Sequence, residues 1–510
     1  MALEIKKVLI SDKVDSSCQT VLEENSIEVD YKPGLSKDEL KAIIKDYDGL
    51  IVRSATKVTQ DVYDCAERLK IIGRAGTGVD NIDQISASAK GVLVMNTPGG
   101  NTLSAAEHTC AMISALARHI GQGYASMLEG KWERSKFMGC ELGGKTLAII
   151  GLGRIGREVA SRMQSYGMKT VGYDPLVSPE EAATFGVEYL QLKNIWPIAD
   201  FVTVHVPLIK PTRGMINASV FEVCKPSMKV INVARGGIID EKDLLNALNA
   251  GKCGGAALDV FETEPPKEGS VSMELVKHPK TLCTPHLGAS TTEAQLRVAK
   301  EIAEQFVDAV NGKPMVGLVN APALSQLANP LYAPWVELAQ KLGSLASNLS
   351  DSANLTLHLD GDELKPATRL LNTALCFGLA KAKGLDCNMI SAVSLLKEKN
   401  IVVVNSPTPK DLAYSALSVS TSENSWLVTG FLSRGRPCIG TLQNTELANP
   451  VVLESGLVYA VSDSSEKELL LTSAEMGVSS VSLSRNGNRV VFVASVAEKP
   501  ANELFKFIQF

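Results

Sequence analysis

A glycine-rich turn between a strand and a helix constrains this chain more than any other feature. The apolar run Thr146–Ile150 leads directly into Gly151, Gly153 and Gly156, spaced as G-x-G-x-x-G, and a helical pattern begins at once. The first glycine permits a tight turn, the second lets a pyrophosphate approach the backbone, and the third allows close packing of helix on sheet. The helix N-terminus favours the phosphate charge. The turn therefore predicts a dinucleotide-binding domain.

An acidic residue stands where such a domain requires one. Asp174 ends the next strand-like run, Thr170–Tyr173. A carboxylate there accepts hydrogen bonds from the adenosine ribose and repels a 2'-phosphate. The following residues, Pro175 to Val177, offer no arginine that would bind such a phosphate. We therefore expect NAD rather than NADP as the cofactor.

Short apolar runs alternate with helix-like polar segments in two series, a pattern typical of parallel sheets. The first series spans residues 8–98, and the Ala-rich segment Asn101–Gly121 is predicted to be a helix leading to the second. Six strand-like runs in the second series match a complete dinucleotide-binding sheet. They are Thr146–Ile150, Thr170–Tyr173, Phe201–His205, Lys229–Ala234, Ala256–Phe261 and Thr281–Pro285. We expect an α/β protein with two Rossmann-like domains built on parallel sheets, followed by an α/β C-terminal extension.

Composition excludes several classes of protein. The net charge is -5 and no long basic block occurs, so a nucleic-acid partner is not expected. No stretch approaches the roughly 18 apolar residues of a membrane span, and the start of the chain is unlike a signal or transit peptide. The ten cysteines have no C-x-x-C or zinc-like spacing, which predicts reduced thiols and no metal site. A cytoplasmic protein without a membrane partner is expected.

Three consecutive strand-like runs end beside chemically active side chains, namely Arg235, Glu264 and His286. Ligands of open α/β sheets bind at these carboxyl ends. A histidine, with an ordinary pKa of about 6.5, can take a hydroxyl proton at neutral pH, and a carboxylate paired with it orients the ring. Arginine presents a planar fork that matches a substrate carboxylate. We assign His286 as acid–base group, Glu264 as its partner and Arg235 as substrate clamp in hydride transfer. The alternative for each residue alone is a surface or capping role.

Four segments resemble signature segments of one enzyme family, the D-isomer-specific 2-hydroxyacid dehydrogenases. They are GLGRIG (151–156), NVARGG (232–237), ALDVFETEPP (257–266) and TPHLGAST (284–291). The resemblance covers roughly residues 5–315 and places the family's catalytic Arg, Glu and His on Arg235, Glu264 and His286. It implies that NAD and a 2-hydroxy acid meet between two α/β domains.

The resemblance also implies a wider set of residues around NAD, including His205 as part of the cofactor wall. This set is Thr77, Gly151, Gly153, Arg154, Ile155, Gly156, Asp174, His205, Val206, Pro207, Val233, Ala234, Arg235, Asp259, His286, Gly288 and Ala289.

Within the family, segments 52–56, 73–83, 96–109 and 131–139 are similar to the branch that oxidises 3-phospho-D-glycerate in L-serine biosynthesis. That likeness implies a phosphorylated 2-hydroxy acid as substrate. It also implies a substrate cleft lined by Arg53, Arg74, Gly76, Asn101, Arg134, Arg235 and His286. Arg53 and Arg74 follow apolar strands, and the loop 131–136 adds three cations, which suits a trianionic substrate. In the family, an arginine at the place of Arg134 can reach a neighbouring subunit, so a homo-oligomer, dimer or tetramer, is expected.

The expected domains follow from this resemblance. They are a discontinuous substrate-binding domain (1–98 with 288–315), an NAD-binding domain (99–287), an intervening α/β domain (316–450) and an ACT-like domain (451–510). The helix after His286 is expected to return to the first domain; the alternative keeps it on the second. The last domain is predicted to contain strand, helix, strand, strand and helix.

Two other functions remain open. A glyoxylate or hydroxypyruvate reductase would use the same framework and cofactor. A corepressor of the C-terminal binding protein type would keep the NAD site but bind peptides; the cationic cleft and the long extension disfavour it.

Overall fold

The structure is a computed structural model that describes residues 3–407, 414–421, 425–462, 480–486, 489–496 and 506–510. The chain forms two compact units. The first consists of residues 1–96 and 302–510, and the second of residues 97–301. Within the described ranges, no helix is long and apolar enough to cross a membrane.

The N-terminal part of the first unit is built on five parallel strands in the order β2-β1-β3-β4-β5. This is the strand order of a flavodoxin-like doubly wound sheet. The strands are β1 (Lys7–Ile10), β2 (Glu28–Tyr31), β3 (Gly49–Val52), β4 (Ile71–Arg74) and β5 (Leu93–Asn96). The helices are α1 (Ser17–Glu24), α2 (Lys37–Ile43), α3 (Gln60–Asp64), α4 (Gln84–Ala89) and the 3-10 turn Ile44–Asp46.

The second unit contains a seven-stranded parallel sheet in the order β12-β11-β10-β9-β6-β7-β8. The six predicted strands are confirmed, and only the short β8 was not predicted. The strands are β6 (Thr146–Ile150), β7 (Lys169–Tyr173), β8 (Glu188–Tyr189), β9 (Phe201–Val204), β10 (Lys229–Asn232), β11 (Gly255–Leu258) and β12 (Thr281–Cys283). Two buried apolar clusters include residues from these strands.

Helices flank this sheet. They are α5 (Thr102–Ala117), α6 (Ile120–Leu128), α7 (Arg154–Ser165), α8 (Pro179–Thr184), α9 (Leu192–Ile195), α10 (Ala218–Val223), α11 (Glu241–Asn249) and α12 (Val271–Lys277), with the 3-10 turn Arg134–Phe137. The predicted single helix over 101–121 is wrong in its second part. His119 adopts a left-handed backbone (φ 52°), which ends α5 and starts α6 because such a residue cannot continue a right-handed helix.

Helix α13 (Thr292–Val310) passes from the second unit into the first. From Ile302 onward it belongs with the five-stranded sheet, whereas the predicted boundary lies at residue 288. Because α13 is continuous, no break in the sequence marks this division. Its buried Phe306 lies over two strand glycines: a Cβ atom added at Gly49 or Gly73 would be 2.7 or 2.5 Å from the ring.

The C-terminal part of the first unit contains two more sheets. A six-stranded mixed sheet has the order β14-β13-β15-β16-β17-β18. Its strands are β13 (Asn354–Asp360), β14 (Val402–Pro407), β15 (Ala416–Thr421), β16 (Trp426–Ser433), β17 (Arg436–Leu442) and β18 (Thr445–Val452). The helices are α14 (Ala333–Leu349), α15 (Thr368–Ala382) and α16 (Ala392–Glu398), with 3-10 turns Pro322–Ala328 and Asp362–Ala367.

The last sheet is antiparallel, with the order β20-β21-β19-β22. Its strands are β19 (Gly456–Ser462), β20 (Ser480–Asn486), β21 (Arg489–Val496) and β22 (Lys506–Gln509). The first helix predicted for an ACT-like domain lies outside the described residues. The helix predicted at the end of the chain is wrong over 506–509, because these residues pair with β19 as the strand β22. The division of the extension at residue 450 stays a prediction.

We predict that Gly73→Ala destabilises the first unit. The added methyl group would meet both Phe306 and Ile302, and overpacking of this kind costs about 1–3 kcal/mol. The measurement is a lower Tm in thermal unfolding. Gly143→Ala is the matched control, since its Cβ would meet only a carbonyl oxygen at an ordinary 3.8 Å. Equal Tm values for the two variants would contradict the proposed fit between sheet and helix.

Candidate active site

The glycine turn has the geometry of a phosphate-binding turn. Gly151 has a positive φ of 96°, and a Cβ atom there would lie 2.6 Å from the carbonyl oxygen of His205. A Cβ atom at Gly156 would collide with the carbonyl oxygen of Gly151. Gly153 instead faces open space and caps α7 without a side chain of its own. The exposed helix N-terminus therefore fits the pyrophosphate of a dinucleotide.

Asp174 lies at the end of β7, beside this turn. Its Oδ2 accepts a hydrogen bond from the Leu152 N–H (2.9 Å), and its Oδ1 accepts one from the Leu176 N–H (2.9 Å). Arg154 and Ile155 open α7, directly after the turn. The carboxylate thus ties the turn to the neighbouring strand, and its further role toward a ribose stays a prediction.

His205 follows β9 and its backbone lies against the glycine turn. Its N–H donates to the carbonyl of Ile150 (2.7 Å), and its Nε2 lies 3.1 Å from the Thr203 hydroxyl. Burial lowers the pKa of His205 to about 4, so the ring is neutral at physiological pH. This environment suits a wall residue better than an acid–base group. Val206 and Pro207 continue the same segment.

His286 and Glu264 are in direct contact. His286 Nδ1 lies 2.8 Å from Glu264 Oε2, and the Phe261 N–H donates to the other carboxylate oxygen (3.0 Å). Burial alone would raise the pKa of Glu264, but these hydrogen bonds outweigh it and keep that pKa below its usual range. The carboxylate is therefore ionised at neutral pH. The pairing expected from the sequence is present, with half of the His286 side chain exposed.

The backbone of His286 is in the left-handed region, with φ 54°. Few residues other than glycine adopt this conformation, and it persists only where surrounding contacts impose it. The His286 N–H donates to the carbonyl of Asp259 (2.9 Å). The carboxylate of Asp259 accepts the next two backbone N–H groups, from Leu287 (2.7 Å) and Gly288 (2.9 Å). Asp259 thus holds the loop that carries the histidine.

Two side chains complete the surroundings of the buried Asp259 carboxylate. The Thr284 hydroxyl donates to Oδ1 (2.6 Å), and His108 Nε2 lies 3.3 Å from the same oxygen. Burial would raise the pKa of Asp259, but the hydrogen bonds from His108, Thr284 and the loop N–H groups keep that pKa below its usual value. The contact between Asp259 and NAD, expected from the family resemblance, stays a prediction.

Arg235 follows β10, the strand next to β11, which leads to Asp259 and Glu264. Asn232 shapes this turn: its amide donates to the Arg235 carbonyl (2.8 Å) and its Oδ1 accepts the Ala234 N–H (3.0 Å). A Cβ atom at Gly236 would collide with the backbone of Phe261. The arginine loop and the glutamate loop therefore lie against each other at one edge of the sheet.

Val233, Gly288 and Ala289 also lie in this region. A Cβ atom on Gly288 would be 2.9 Å from Val233 Cγ1 and 3.2 Å from Asp259 Oδ2. The carbonyl of Ala289 accepts a hydrogen bond from the Gln295 amide (2.7 Å). Because Gly288 has no side chain, the loop that contains His286 can lie close to Val233, just after β10.

Four of the expected ligand-contacting residues lie in the first unit. Val52 pairs with Arg74 across β3 and β4, so Arg53 follows directly beside Arg74 at the carboxyl edge. A Cβ atom at Gly76 (φ 143°) would collide with the Arg74 guanidinium. The carbonyl of Thr77 accepts a hydrogen bond from the Asn96 amide (2.5 Å).

The remaining expected substrate residues are in the second unit. Asn101 is the residue before α5, and Arg134 is exposed at the start of a 3-10 turn. The three-cation count for this loop needs correction. Lys131 and Lys136 form exposed ion pairs with Glu129 (2.6 Å) and Glu133 (3.3 Å), which offset part of their positive charge. Arg134 is thus the cation that the loop offers to an anion.

Sequence reasoning missed several supporting residues. Besides Asn232 and Thr284, the buried Glu241 accepts the Glu262 N–H (2.6 Å) and a hydrogen bond from Ser272. Polar residues next to or within signature segments, such as Thr284 before His286, were the available signal. No sequence signal pointed to Glu241, because its hydrogen-bond partners, Glu262 and Ser272, are distant from it in the chain.

Two other chemistries lack support. Burial raises the pKa of the Cys283 thiol to about 11, so it is protonated and a poor nucleophile. Within the part of the chain that the structure describes, no cluster of His, Cys, Asp or Glu is arranged to hold a metal ion.

Comparison with protein-family models gives two matches. Residues 110–288 match the NAD-binding domain of D-isomer-specific 2-hydroxyacid dehydrogenases. Residues 332–439 match the intervening domain of D-3-phosphoglycerate dehydrogenase. The glycine turn and the Arg235, Glu264 and His286 loops all lie within the first match, so NAD is the cofactor of this domain.

Several proteins similar in sequence or structure are also D-isomer-specific dehydrogenases. The D-3-phosphoglycerate dehydrogenase of Homo sapiens is 54% identical over 409 residues, covering 79% of this chain and 76% of the relative. That of Bacillus subtilis is 42% identical over 400 residues, covering 78% and 75%. The solved D-lactate dehydrogenase of Aquifex aeolicus, complexed with NAD and lactic acid, is 30% identical with a TM-score of 0.54, covering 60% of this chain and 96% of that chain. The chain therefore belongs to the D-3-phosphoglycerate dehydrogenase family of NAD-dependent, D-isomer-specific 2-hydroxyacid dehydrogenases.

Proposed function

We propose that this enzyme oxidises 3-phospho-D-glycerate to 3-phosphohydroxypyruvate with NAD, the first step of the phosphorylated route to L-serine, in the cytoplasm. The observation that carries the proposal is the 2.8 Å contact between His286 and Glu264 at the sheet edge where Arg235 also lies. This is the acid–base pair and carboxylate clamp that oxidation of a 2-hydroxy acid needs. The family relationship selects the phosphorylated substrate.

The orientation of His286 assigns its two ring nitrogens. Nδ1 faces the ionised Glu264 carboxylate, so Nδ1 carries a proton and Nε2 is the base that accepts one. Bound NAD supplies the acceptor for the hydride that leaves C2 of the substrate. As that hydride leaves, Nε2 takes the hydroxyl proton, and the C2–O bond becomes a carbonyl. Glu264 stabilises the imidazolium that forms.

Arginines would hold the anionic ends of the substrate. The planar guanidinium of Arg235, whose Nη1 donates to the Ala234 carbonyl (2.6 Å), would bind the carboxylate next to the reacting carbon. Arg53, Arg74 and Arg134 are the candidates for the phosphate. Since Lys131 and Lys136 are already paired with glutamates, binding of the phosphate would depend mainly on these three arginines.

An exposed apolar surface supports a homo-oligomer, dimer or tetramer. It consists of six side chains on α6 and in the segment that follows it, each between 53% and 80% exposed: Ile120, Tyr124, Met127, Leu128, Trp132 and Met138. Four of them, Ile120, Tyr124, Met127 and Leu128, share one face of α6 by their helical spacing, and exposed apolar faces of this kind mark protein interfaces. Arg134 lies between Trp132 and Met138, so a second copy of this chain on the surface would bring Arg134 close to that copy.

The first prediction from the proposed function concerns His286 and pH. His286→Ala is expected to lower kcat about 100- to 10,000-fold, the usual contribution of general acid–base catalysis. Oxidation needs an Nε2 that can accept a proton and reduction of the keto acid needs one that can donate it, so the two directions should respond to pH in opposite senses. Glu264→Gln should lower kcat for oxidation, because a neutral amide stabilises the imidazolium formed in the reaction less well than a carboxylate does. pH–rate profiles in both directions measure these effects.

Glu262→Gln is the matched control for these profiles, because Glu262 lies exposed in the same loop and its backbone, not its side chain, makes the described contact with Glu241. Its pH profile should match that of the wild type. A flat wild-type profile, or near-normal turnover by His286→Ala, would overturn the acid–base assignment.

A second prediction separates the phosphorylated substrate from the reductase alternative. Arg134→Ala should lower kcat/KM for 3-phospho-D-glycerate about 10- to 100-fold, the value of a lost charge-assisted hydrogen bond. Turnover of unphosphorylated hydroxypyruvate with NADH should change little. Lys136→Ala, which removes a cation already paired with Glu133, is the control. If Arg134→Ala affects neither substrate, its assigned role in binding phosphate is wrong.

A third prediction concerns association. Leu128→Glu should place a charge in the apolar surface and reduce the measured mass toward that of a single chain, since an unpaired charge in an interface is costly. Light scattering after size-exclusion chromatography measures the mass. Ile85→Glu is the control, because Ile85 is also highly exposed but lies on α4. A monomeric wild type, or an unchanged mass for Leu128→Glu, would contradict the interface.

A further inference from the structure

Helix α5 brings a second histidine to the end of the sheet. His108 Nε2 lies 3.1 Å from the Thr284 hydroxyl and 3.3 Å from Asp259 Oδ1. The His108 side chain is only 20% exposed, and the Asp259 side chain is fully buried. His108 lies outside the signature segments that contain the assigned catalytic residues. Asp259 accepts hydrogen bonds from the loop that contains His286, and Thr284 lies two residues before His286 in the same loop.

The hydrogen-bond directions around His108 are set by its neighbours. Thr284 donates its single hydroxyl proton to Asp259 Oδ1 at 2.6 Å, so it presents a lone pair to His108. The ionised carboxylate of Asp259 can only accept. Both neighbours of His108 Nε2 are therefore acceptors, and Nε2 carries the proton. A neutral ring is sufficient for this arrangement.

The contacts continue from His108 to the histidine loop. Asp259 Oδ1 receives Thr284 and the Leu287 N–H, while Oδ2 receives the Gly288 N–H. Between these anchors, His286 is kept at a positive φ. Loss of the His108 proton donor would remove one of the three contacts on Oδ1 and leave only the Thr284 hydroxyl and the Leu287 N–H there. We expect the carboxylate to reorient more often in that case, which weakens its hydrogen bonds to the loop N–H groups.

We propose that His108 is a positioning residue for the reaction, which orients Asp259 and Thr284 so that their hydrogen bonds hold the loop carrying His286. This proposal rests on the proposed function, because it takes His286 as the acid–base group. His108 itself takes part in no proton or hydride transfer. His108 instead raises the fraction of molecules in which His286 is oriented for the reaction.

Kinetics of paired variants test the proposal. His108→Leu keeps a side chain of similar size but removes the donor, and it should lower kcat about ten-fold, since small misplacements of a catalytic group have effects of this size or larger. KM for the hydroxy acid should remain nearly unchanged. His108→Gln, which retains an N–H donor at a similar position, should recover most of the activity. A purely structural role would not give this rescue or this separation of kcat from KM.

Thr109→Val is the matched control on the same helix. The Thr109 hydroxyl is buried and donates only within α5, to the Ala105 carbonyl (2.8 Å). Its loss should leave kcat near that of the wild type. An equal fall in kcat for Thr109→Val and His108→Leu would show general damage to α5 and overturn the proposal.

Hydrogen exchange gives a readout that does not depend on activity. Amide exchange in a peptide spanning Thr284 to Ala289, measured by mass spectrometry, should be faster in His108→Leu than in the wild type, because the Leu287 and Gly288 N–H groups lose protection. Unchanged exchange would overturn the proposal. If the wild-type chain fails to oxidise 3-phospho-D-glycerate, the proposed substrate fails, and this comparison still decides the role of His108.

A double-mutant cycle identifies the path of the effect. Thr284→Val removes the hydroxyl between His108 and Asp259. If both residues act through the same carboxylate, the effects of His108→Leu and Thr284→Val on kcat should be clearly less than multiplicative. Fully multiplicative effects would mean that His108 does not act through this network, and the proposal would be wrong.

Discussion

The buried carboxylate of Asp259 is the interaction on which the candidate active site depends. It receives two consecutive backbone N–H groups, from Leu287 and Gly288, and thereby holds His286 in a left-handed conformation. A carboxylate is well suited to this task because it can accept several hydrogen bonds while remaining charged. The ionised Glu264 then orients the imidazole ring of His286 through its contact with Nδ1. Backbone and side chain of the histidine are thus controlled by two different carboxylates.

The parallel sheet brings these groups together. Its strands β10, β11 and β12 are neighbours, so the segments after them reach one edge although they are distant in the chain. Small residues make the approach possible: Gly236 allows the arginine loop to lie against Phe261, and Gly288 allows the histidine loop to approach Val233. The chemistry therefore depends on glycines as well as on the charged residues.

Much of the fold could be predicted from the sequence. The strand-like runs, the G-x-G-x-x-G turn and Asp174 have local signals, because strand periodicity and turn chemistry are properties of neighbouring residues. Other features had no local signal. The break at His119 depends on one left-handed residue, and the division within α13 crosses an uninterrupted helix. The sequence alone also did not show that Lys131 and Lys136 form ion pairs with Glu129 and Glu133, which make them less available to bind a phosphate.

By itself, the sequence determined the α/β class and the dinucleotide turn and indicated Arg235, Glu264 and His286 as candidates, because each is encoded in a short segment. The tertiary structure decided which supporting groups meet them. His108 lies on a helix far from Asp259 in the chain, yet their side chains are 3.3 Å apart. Such a contact depends on how a helix packs on a sheet, and no spacing within one segment specifies it.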